Sequence, residues 1–183
     1  MSARMSQTVR TDPPLTGTEA EILVAFLDYH RDTLRVKSEG LDAHQLHQRL
    51  APSSLTLGGL VKHMAYVEDW WFNQVFADNA APEPWASVDW NADGDWEFNS
   101  AAQDTPDQLR SLLDEAVAVS DRILHEALAT NEGLDAVAQR ASRRDPSRSI
   151  SLRWIVVHMI EEYARHNGHA DLLRESVDGQ VGE

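Results

Sequence analysis

The sequence contains no cysteine. A disulfide, a cysteine-based zinc site and a thiol nucleophile belonging to the chain are all excluded, because each needs a cysteine side chain. Any sulfur chemistry that this protein performs must therefore use a thiol that comes from solution.

Positive charge is also scarce. The chain has 16 Lys and Arg residues against 30 Asp and Glu residues, which gives a net charge of −14 and a pI near 4.8. This balance argues against general nucleic-acid binding and against anchoring on anionic membranes. No apolar run approaches the roughly 18 residues that span a bilayer, and no secretory signal opens the chain. We expect a cytoplasmic protein whose partners are small molecules.

The apolar residues recur at intervals of three and four, which is the period of helices buried on one side. At 183 residues the chain is long enough for one domain with a single core. We expect that domain over residues 15–175, a mobile tail over 1–14 and a frayed tail over 176–183. The predicted helices run from Thr16 or Thr18 to Lys37, from Leu57 to Phe76, from Pro106 to Ala129 and from Ser149 to Arg174, with a short helical turn within 41–50.

With four long helices and no convincing strand, the predicted fold is an all-α four-helix bundle with one long crossover loop, residues 78–104. This loop contains Trp85, Trp90 and Trp96, whereas disordered segments usually lack aromatic residues. We therefore expect it to fold over the bundle and line a pocket. A packed surface loop without ligand contact is the equal alternative.

The last predicted helix places an acid and an imidazole beside the core. Glu162 and His166 lie four residues apart, so they project from one helix face, close enough to share a metal ion. An ionised carboxylate beside a core costs several kcal/mol unless it is paired or bound to a cation. Such pairs also occur by chance, so the pair needs a third partner. The core face itself is formed by Leu152, Ile155, Met159, Tyr163, Ala170 and Leu173.

The second helix offers that partner. His63 borders an apolar stripe that includes Leu60 and Val67, and across the bundle it would complete a three-ligand site. A hydrogen-bonded core histidine is the alternative. Gly58 and Gly59 near the start of this helix would let another backbone or a ligand come close.

The other histidines are weaker candidates. His30 lies in the apolar stripe of the first helix, where a hydrogen-bonded core role is favoured over a ligand role. His44 and His47 are predicted at the surface. His158 and His169 fall just outside the apolar face of the last helix, although His169 points near the direction of Glu162. The stripe of the first helix is predicted as Ile22, Leu23, Phe26, Leu27, His30 and Leu34.

The connection before the last helix is basic, with Arg140 and Arg143 followed by Arg144, Arg148 and Arg153. Beside a helix N-terminus such a cluster could hold the anionic part of a ligand. A solvated loop that balances nearby acids is the alternative.

Two segments, SSLTLGGLVKHMAYVEDWWF and SLRWIVVHMIEEYARHNGHADLLRE, resemble the signature segments of the DinB-like superfamily. The resemblance is closest to its actinobacterial branch of mycothiol-dependent S-transferases and a related maleylpyruvate isomerase, and it covers about Leu15 to Glu175. It implies a four-helix bundle that holds one divalent metal, usually zinc, with His63, Glu162 and His166 as ligands. Many members use three histidines, and the carboxylate here also suits manganese or iron.

The function that this resemblance implies is metal-dependent S-transfer for detoxification. A low-molecular-weight thiol, mycothiol, would join an electrophilic small molecule at the open position of the metal, and Glu162 would tune the charge of the metal. Arg144, Arg148, Arg153 and His169 are the candidate thiol-binding residues. A thiol-dependent isomerase, a metal-dependent hydrolase and a non-catalytic metal-binding stress protein stay open. The electrophile and the oligomeric state also stay open, with a homodimer as one alternative.

Overall fold

The computed structural model describes residues 8–142 and 145–182. Within these ranges the only β-type pairing is an isolated bridge between Val137 and Ser151, so the predicted all-α class is confirmed. The helices are α1 (Glu19–Ser38), α2 (Ala43–Leu46), α3 (Leu57–Glu68, continued by a π-helix, Asp69–Phe76), α4 (Trp96–Ser100), α5 (Pro106–Leu128) and α6 (Leu152–Asp178), with 3₁₀ turns at Trp85–Ser87, Ala101–Gln103 and Gly133–Asp135.

Threonine and serine side chains cap the starts of three long helices. Thr18 and Thr105 each form a capping box, and the Ser151 side chain accepts from the backbone N–H of Trp154. The end of α6 was predicted too early. The helix continues four residues past Arg174, because the Arg174 guanidinium pairs with Asp178 one turn later. The expected frayed tail from residue 176 is therefore wrong for residues 176–178, which are helical.

The long helices run in two parallel pairs. Contacts between α1 and α6 join Glu19 to Arg153 and His30 to Asn167, so these two helices point the same way. Between α3 and α5, the side chain of Leu109 lies beside Gly58, and the Ser120 hydroxyl contacts the Glu68 carbonyl ten residues further along α3. These helices are therefore also parallel, and residues 78–104 must return along the length of the bundle to join them.

The crossover segment folds over the bundle, as predicted. Trp85 is buried, and its ring lies 5.3 Å from that of Tyr66 on α3. The ammonium group of Lys62, also on α3, lies 4.3 Å from the ring centroid of Trp96 and 2.6 Å from Asp104. Aromatic packing and one buried cation thus hold the crossover against α3.

None of the helices in the described ranges combines the length and the apolar character that crossing a membrane requires. All six predicted core residues of α6 are buried, which confirms the orientation assigned to that helix. The prediction for α1 is partly wrong. Phe26 is 43% exposed, while Arg31 is 1% exposed and takes a position in the core.

Arg31 is buried because its charge is matched by carboxylates. Its Nε and Nη2 donate to the two oxygens of Glu68 at 2.7 and 2.9 Å, and Nη1 donates to Asp121 at 2.7 Å. The Tyr163 hydroxyl donates to Glu68 at 2.9 Å. Burial, followed by the nearby Glu68 charge, raises the pKa of Tyr163 well above its usual value, so the hydroxyl keeps the proton it donates. The network joins α1, α3, α5 and α6.

We expect Glu68→Gln to lower the free energy of unfolding by about 3–5 kcal/mol, because it leaves the Arg31 charge buried without its main counter-ion. Asp28→Asn is the matched control: it removes the partner of Arg31 whose side chain is 53% exposed and should cost less than about 1 kcal/mol. Urea denaturation measures both, and similar losses in the two variants would contradict the central role of Glu68.

Candidate metal centre

The structure brings together the three residues predicted as metal ligands. His63 on α3 faces Glu162 and His166 on α6, and one ligand atom from each lies within 4.8 Å of the other two. The rings of His63 and His166 have their centroids 4.9 Å apart. The antiparallel packing of α3 against α6 therefore joins residues that are distant in sequence.

Their spacing fits a metal ion. Nε2 of His166 lies 3.4 Å from Oε2 of Glu162, and two ligands at about 2.1 Å in a tetrahedral shell lie roughly 3.4 Å apart. Two imidazoles and one carboxylate suit zinc, iron or manganese. Three protein ligands leave one position of a tetrahedral shell for water or a substrate, as in catalytic zinc sites.

His166 is suited to be a ligand because it stays neutral. It is 9% exposed, and burial, with the neighbouring His63, His169 and Arg165, lowers its pKa from 6.5 to about 4. A metal ion competes with protons for imidazole nitrogen. At neutral pH that competition is absent for His166.

His63 is held by the crossover segment. Its Nδ1 lies 2.9 Å from Oε1 of Glu97, which is 4% exposed, and its ring stacks on Phe98 with centroids 4.6 Å apart. An ionised carboxylate only accepts hydrogen bonds, so we assign the proton to Nδ1. The lone pair of Nε2 is then available to a metal ion.

A second group of possible ligands consists of His158, Glu161 and Glu162. All three lie on α6, and the side chain of Glu161 is 47% exposed. The His158 ring also packs against Trp71 and Trp154. The group with His63 is the better candidate, because it is less exposed and draws its ligands from two helices.

The predicted thiol-binding residues are dispersed. His169 lies next to the site, its ring centroid 5.5 Å from that of His166. Arg153 pairs with Glu19 and Asp135, and it precedes Glu162 by nine residues, about 14 Å along a helix axis. Arg148 is exposed in the loop before α6. Arg144 lies outside the described residues.

Three other histidines belong to neither group of possible ligands. His30 is half-buried, and Nδ2 of Asn167 lies 3.5 Å from its Nδ1 and donates to its backbone carbonyl at 2.9 Å; its hydrogen-bonded core role stays a prediction. The surface prediction is correct for His44 and wrong for His47. The latter packs against Gly58, where an added Cβ would lie 2.6 Å from its Cε1.

Phe98 also lines a polar cleft on the surface. The cleft has a volume of about 360 Å³, and Phe98 both borders it and stacks on His63. A backbone or a ligand was expected close to the paired glycines, and side chains lie nearest instead: His47 at Gly58 and Phe98 at Gly59. The lining comprises His47, Arg49, Ser54, Leu55, Thr56, Asp95, Phe98, Asn99 and Ala102.

Sequence reasoning missed Glu97 and Phe98 as neighbours of the ligands. The aromatic content of the crossover segment predicted that it packs on the bundle. No periodic pattern relates Glu97 to His63, since the two belong to different elements 34 residues apart. Only the three-dimensional packing pairs them.

Comparison with known proteins identifies the family of the chain and supports its fold. The model of the mycothiol S-transferase family matches residues 22–179, so the chain belongs to the mycothiol S-transferase family, which is DinB-like. The conserved protein of locus from Enterococcus faecalis has the same fold, with a TM-score of 0.65 and 16% identity over 90% of this chain and 100% of that chain. At this identity the likeness concerns the fold alone. No curated protein matches the chain.

The lowered pKa of His166 predicts a pH dependence of stability. Between about pH 4 and pH 6.5 the unfolded chain binds a proton at His166 that the folded chain does not. The free energy of unfolding of the metal-free protein should therefore fall as pH is lowered through this range, by on the order of 3 kcal/mol from this residue.

The measurement is urea denaturation with a chelator present, from pH 4 to pH 7, on the wild type and on His166→Asn. The variant lacks this titration and should lose less stability across the range. Parallel curves for the two proteins would contradict the assignment.

Proposed function

We propose that this protein is a metal-dependent thiol S-transferase that joins mycothiol to an electrophilic small molecule. The observation that carries the proposal is the group of His63, Glu162 and His166, which has the composition of a catalytic metal site in a chain without cysteine. Membership of the mycothiol S-transferase family supports the choice of thiol. We propose zinc as the metal and the cytoplasm as the compartment.

The metal supplies the activation that the chain lacks. A free thiol with a pKa near 8.5 is only a few per cent thiolate at neutral pH, and a divalent cation at this group would lower that pKa. In the reaction the thiol releases its proton, its sulfur forms a bond to carbon, and the electrophile loses a leaving group or takes up a proton.

The side chains of the site would bind the metal ion and set the charge around it. His63 and His166 would hold the cation through imidazole nitrogens, a type of ligand that leaves the charge of the cation unchanged. Glu162 would contribute a negative charge, which would lower the net charge of the centre and so favour a nucleophilic thiolate. His158 contacts Glu162 from the other side, with its Nε2 3.5 Å from Oε1, and so favours one direction of the carboxylate.

The cleft beyond Phe98 is the proposed location of the polar body of the thiol. Hydroxyl, amide and charged side chains line it, which suits a polyhydroxylated or charged molecule better than an apolar one. Phe98 lies between this cleft and His63. We propose that a thiol whose body lies there extends its sulfur past Phe98 toward the metal ligands.

We expect conjugation of mycothiol to a panel of electrophiles to disappear on chelation and return with added zinc. His166→Ala should abolish stoichiometric metal binding, and Glu162→Gln should keep part of the metal but lose much of the rate. Glu175→Gln is the control, because it makes the same change of side chain at an exposed position thirteen residues further along the same helix. Rates that are equal in the metal-free protein would contradict the mechanism. Tight metal binding without conjugation would favour the isomerase, hydrolase or non-catalytic alternatives.

Two arginines test where the anionic part of the thiol binds. Arg49 lines the cleft, and Arg49→Ala should raise the KM for mycothiol about tenfold or more, as expected for a lost charge-assisted contact. Arg148→Ala tests the basic loop in the same assay, and on the sequence-based expectation it raises the KM as well. A KM that Arg148→Ala leaves unchanged would exclude that arginine from the site, and an unchanged KM in Arg49→Ala would exclude the cleft arginine.

A further inference from the structure

We propose that Glu97, on the crossover segment, is a positioning residue that sets the tautomer and direction of His63 for metal binding. The proposal rests on the metal site of the proposed function. It adds a fourth side chain to that site, which acts through His63 and takes no ligand position itself. It also assigns a role to the crossover segment.

The first support is the hydrogen bond. Oε1 of Glu97 lies 2.9 Å from Nδ1 of His63. Histidines that bind metals usually donate their other ring N–H to a carboxylate or carbonyl, which fixes the tautomer and raises the basicity of the ligating nitrogen. Glu97 occupies that place, on the side of the ring away from the nitrogen left for the metal.

The second support is the burial of Glu97. Its side chain is 5% exposed, and Oε2 has no hydrogen-bond partner within the described ranges. A buried carboxylate with one unsatisfied oxygen costs free energy, so packing alone would favour an apolar side chain here. The hydrogen bond to His63 explains why an acid occupies this buried position.

The third support is the way the segment is held. Residues 96–98 face residues 62 and 63 of α3: Trp96 lies against Lys62, while Glu97 and Phe98 contact His63. The stack with Phe98 limits rotation of the ring, and the hydrogen bond selects which nitrogen faces α6. Together the two contacts leave His63 one orientation.

The other histidine ligand has no equivalent partner. Nδ1 of His166 is buried, and no hydrogen-bonding group of the described chain reaches it. Its direction is set by its own helix, where Glu162 lies one turn earlier. His63 is therefore the ligand whose geometry depends on a carboxylate from another element.

The test compares zinc affinity, measured by competition with a chromophoric chelator, in the wild type, Glu97→Gln, Glu97→Ala and Lys62→Met. We expect Glu97→Ala to weaken zinc binding about 10- to 100-fold. The zinc affinity of Glu97→Gln should lie between those of Glu97→Ala and the wild type, because an amide oxygen still accepts a hydrogen bond but carries no charge. Lys62→Met removes the contacts to Trp96 and Asp104 without touching His63, and it should change affinity less than threefold.

Nitrogen-15 NMR of the metal-free proteins at pH 8 gives a second readout. In the wild type the proton of His63 should reside on Nδ1, and in Glu97→Ala it should shift toward Nε2. Thermal unfolding of the same samples establishes that each variant is folded.

Three outcomes would overturn the proposal: zinc affinity of Glu97→Ala within twofold of the wild type, an equal loss in Lys62→Met, or an unchanged tautomer in Glu97→Ala. A wild type that binds zinc but conjugates no thiol would instead overturn the proposed reaction and leave the role of Glu97 standing.

Discussion

The buried ion pair between Arg31 and Glu68 is the constraint on which the bundle depends. Two charges are removed from water, and this is tolerated because a tyrosine hydroxyl and a second carboxylate complete their hydrogen bonds. The partners lie on four helices, so the network sets the rotation of each helix about its axis. Tyr163 neighbours Glu162, and Glu68 follows His63 by five residues. The same bonds therefore help to direct the metal ligands toward one another.

The sequence predicts the metal ligands better than it predicts this network, for a physical reason. Glu162 and His166 lie on a long helix with clear apolar periodicity, so the side they face can be read directly. Arg31 and Glu68 contradict the usual distribution of charge, and their burial is favourable only because they meet across 37 residues of sequence. Periodicity in one helix carries no information about such a partner, and the exposed Phe26 was assigned to the core for the same reason.

The arrangement of the crossover segment is predicted by the sequence only in part. Its tryptophans predict that it packs on the bundle, since apolar area of that size is costly to leave in water. Which residues meet α3 depends on the register between the two segments. In that register Trp96 and Asp104 contact Lys62, and Glu97 and Phe98 contact His63 through a hydrogen bond and a ring stack of their own. The composition of this segment predicts that it docks on the bundle, whereas its residue-by-residue pairing with α3 follows only from the three-dimensional structure.

The parallel arrangement of α3 and α5 has a consequence for how the chain acquires its site. His63 and His166 are 103 residues apart, and they meet only after the crossover has returned along the bundle and α6 has docked. Contacts of such large separation form slowly, because the entropy of closing a long loop must be overcome first. During synthesis the chain carries one of the three proposed ligands, His63, until its last helix is complete. A cation that binds all three ligands then selects the finished bundle over every shorter or partly docked form.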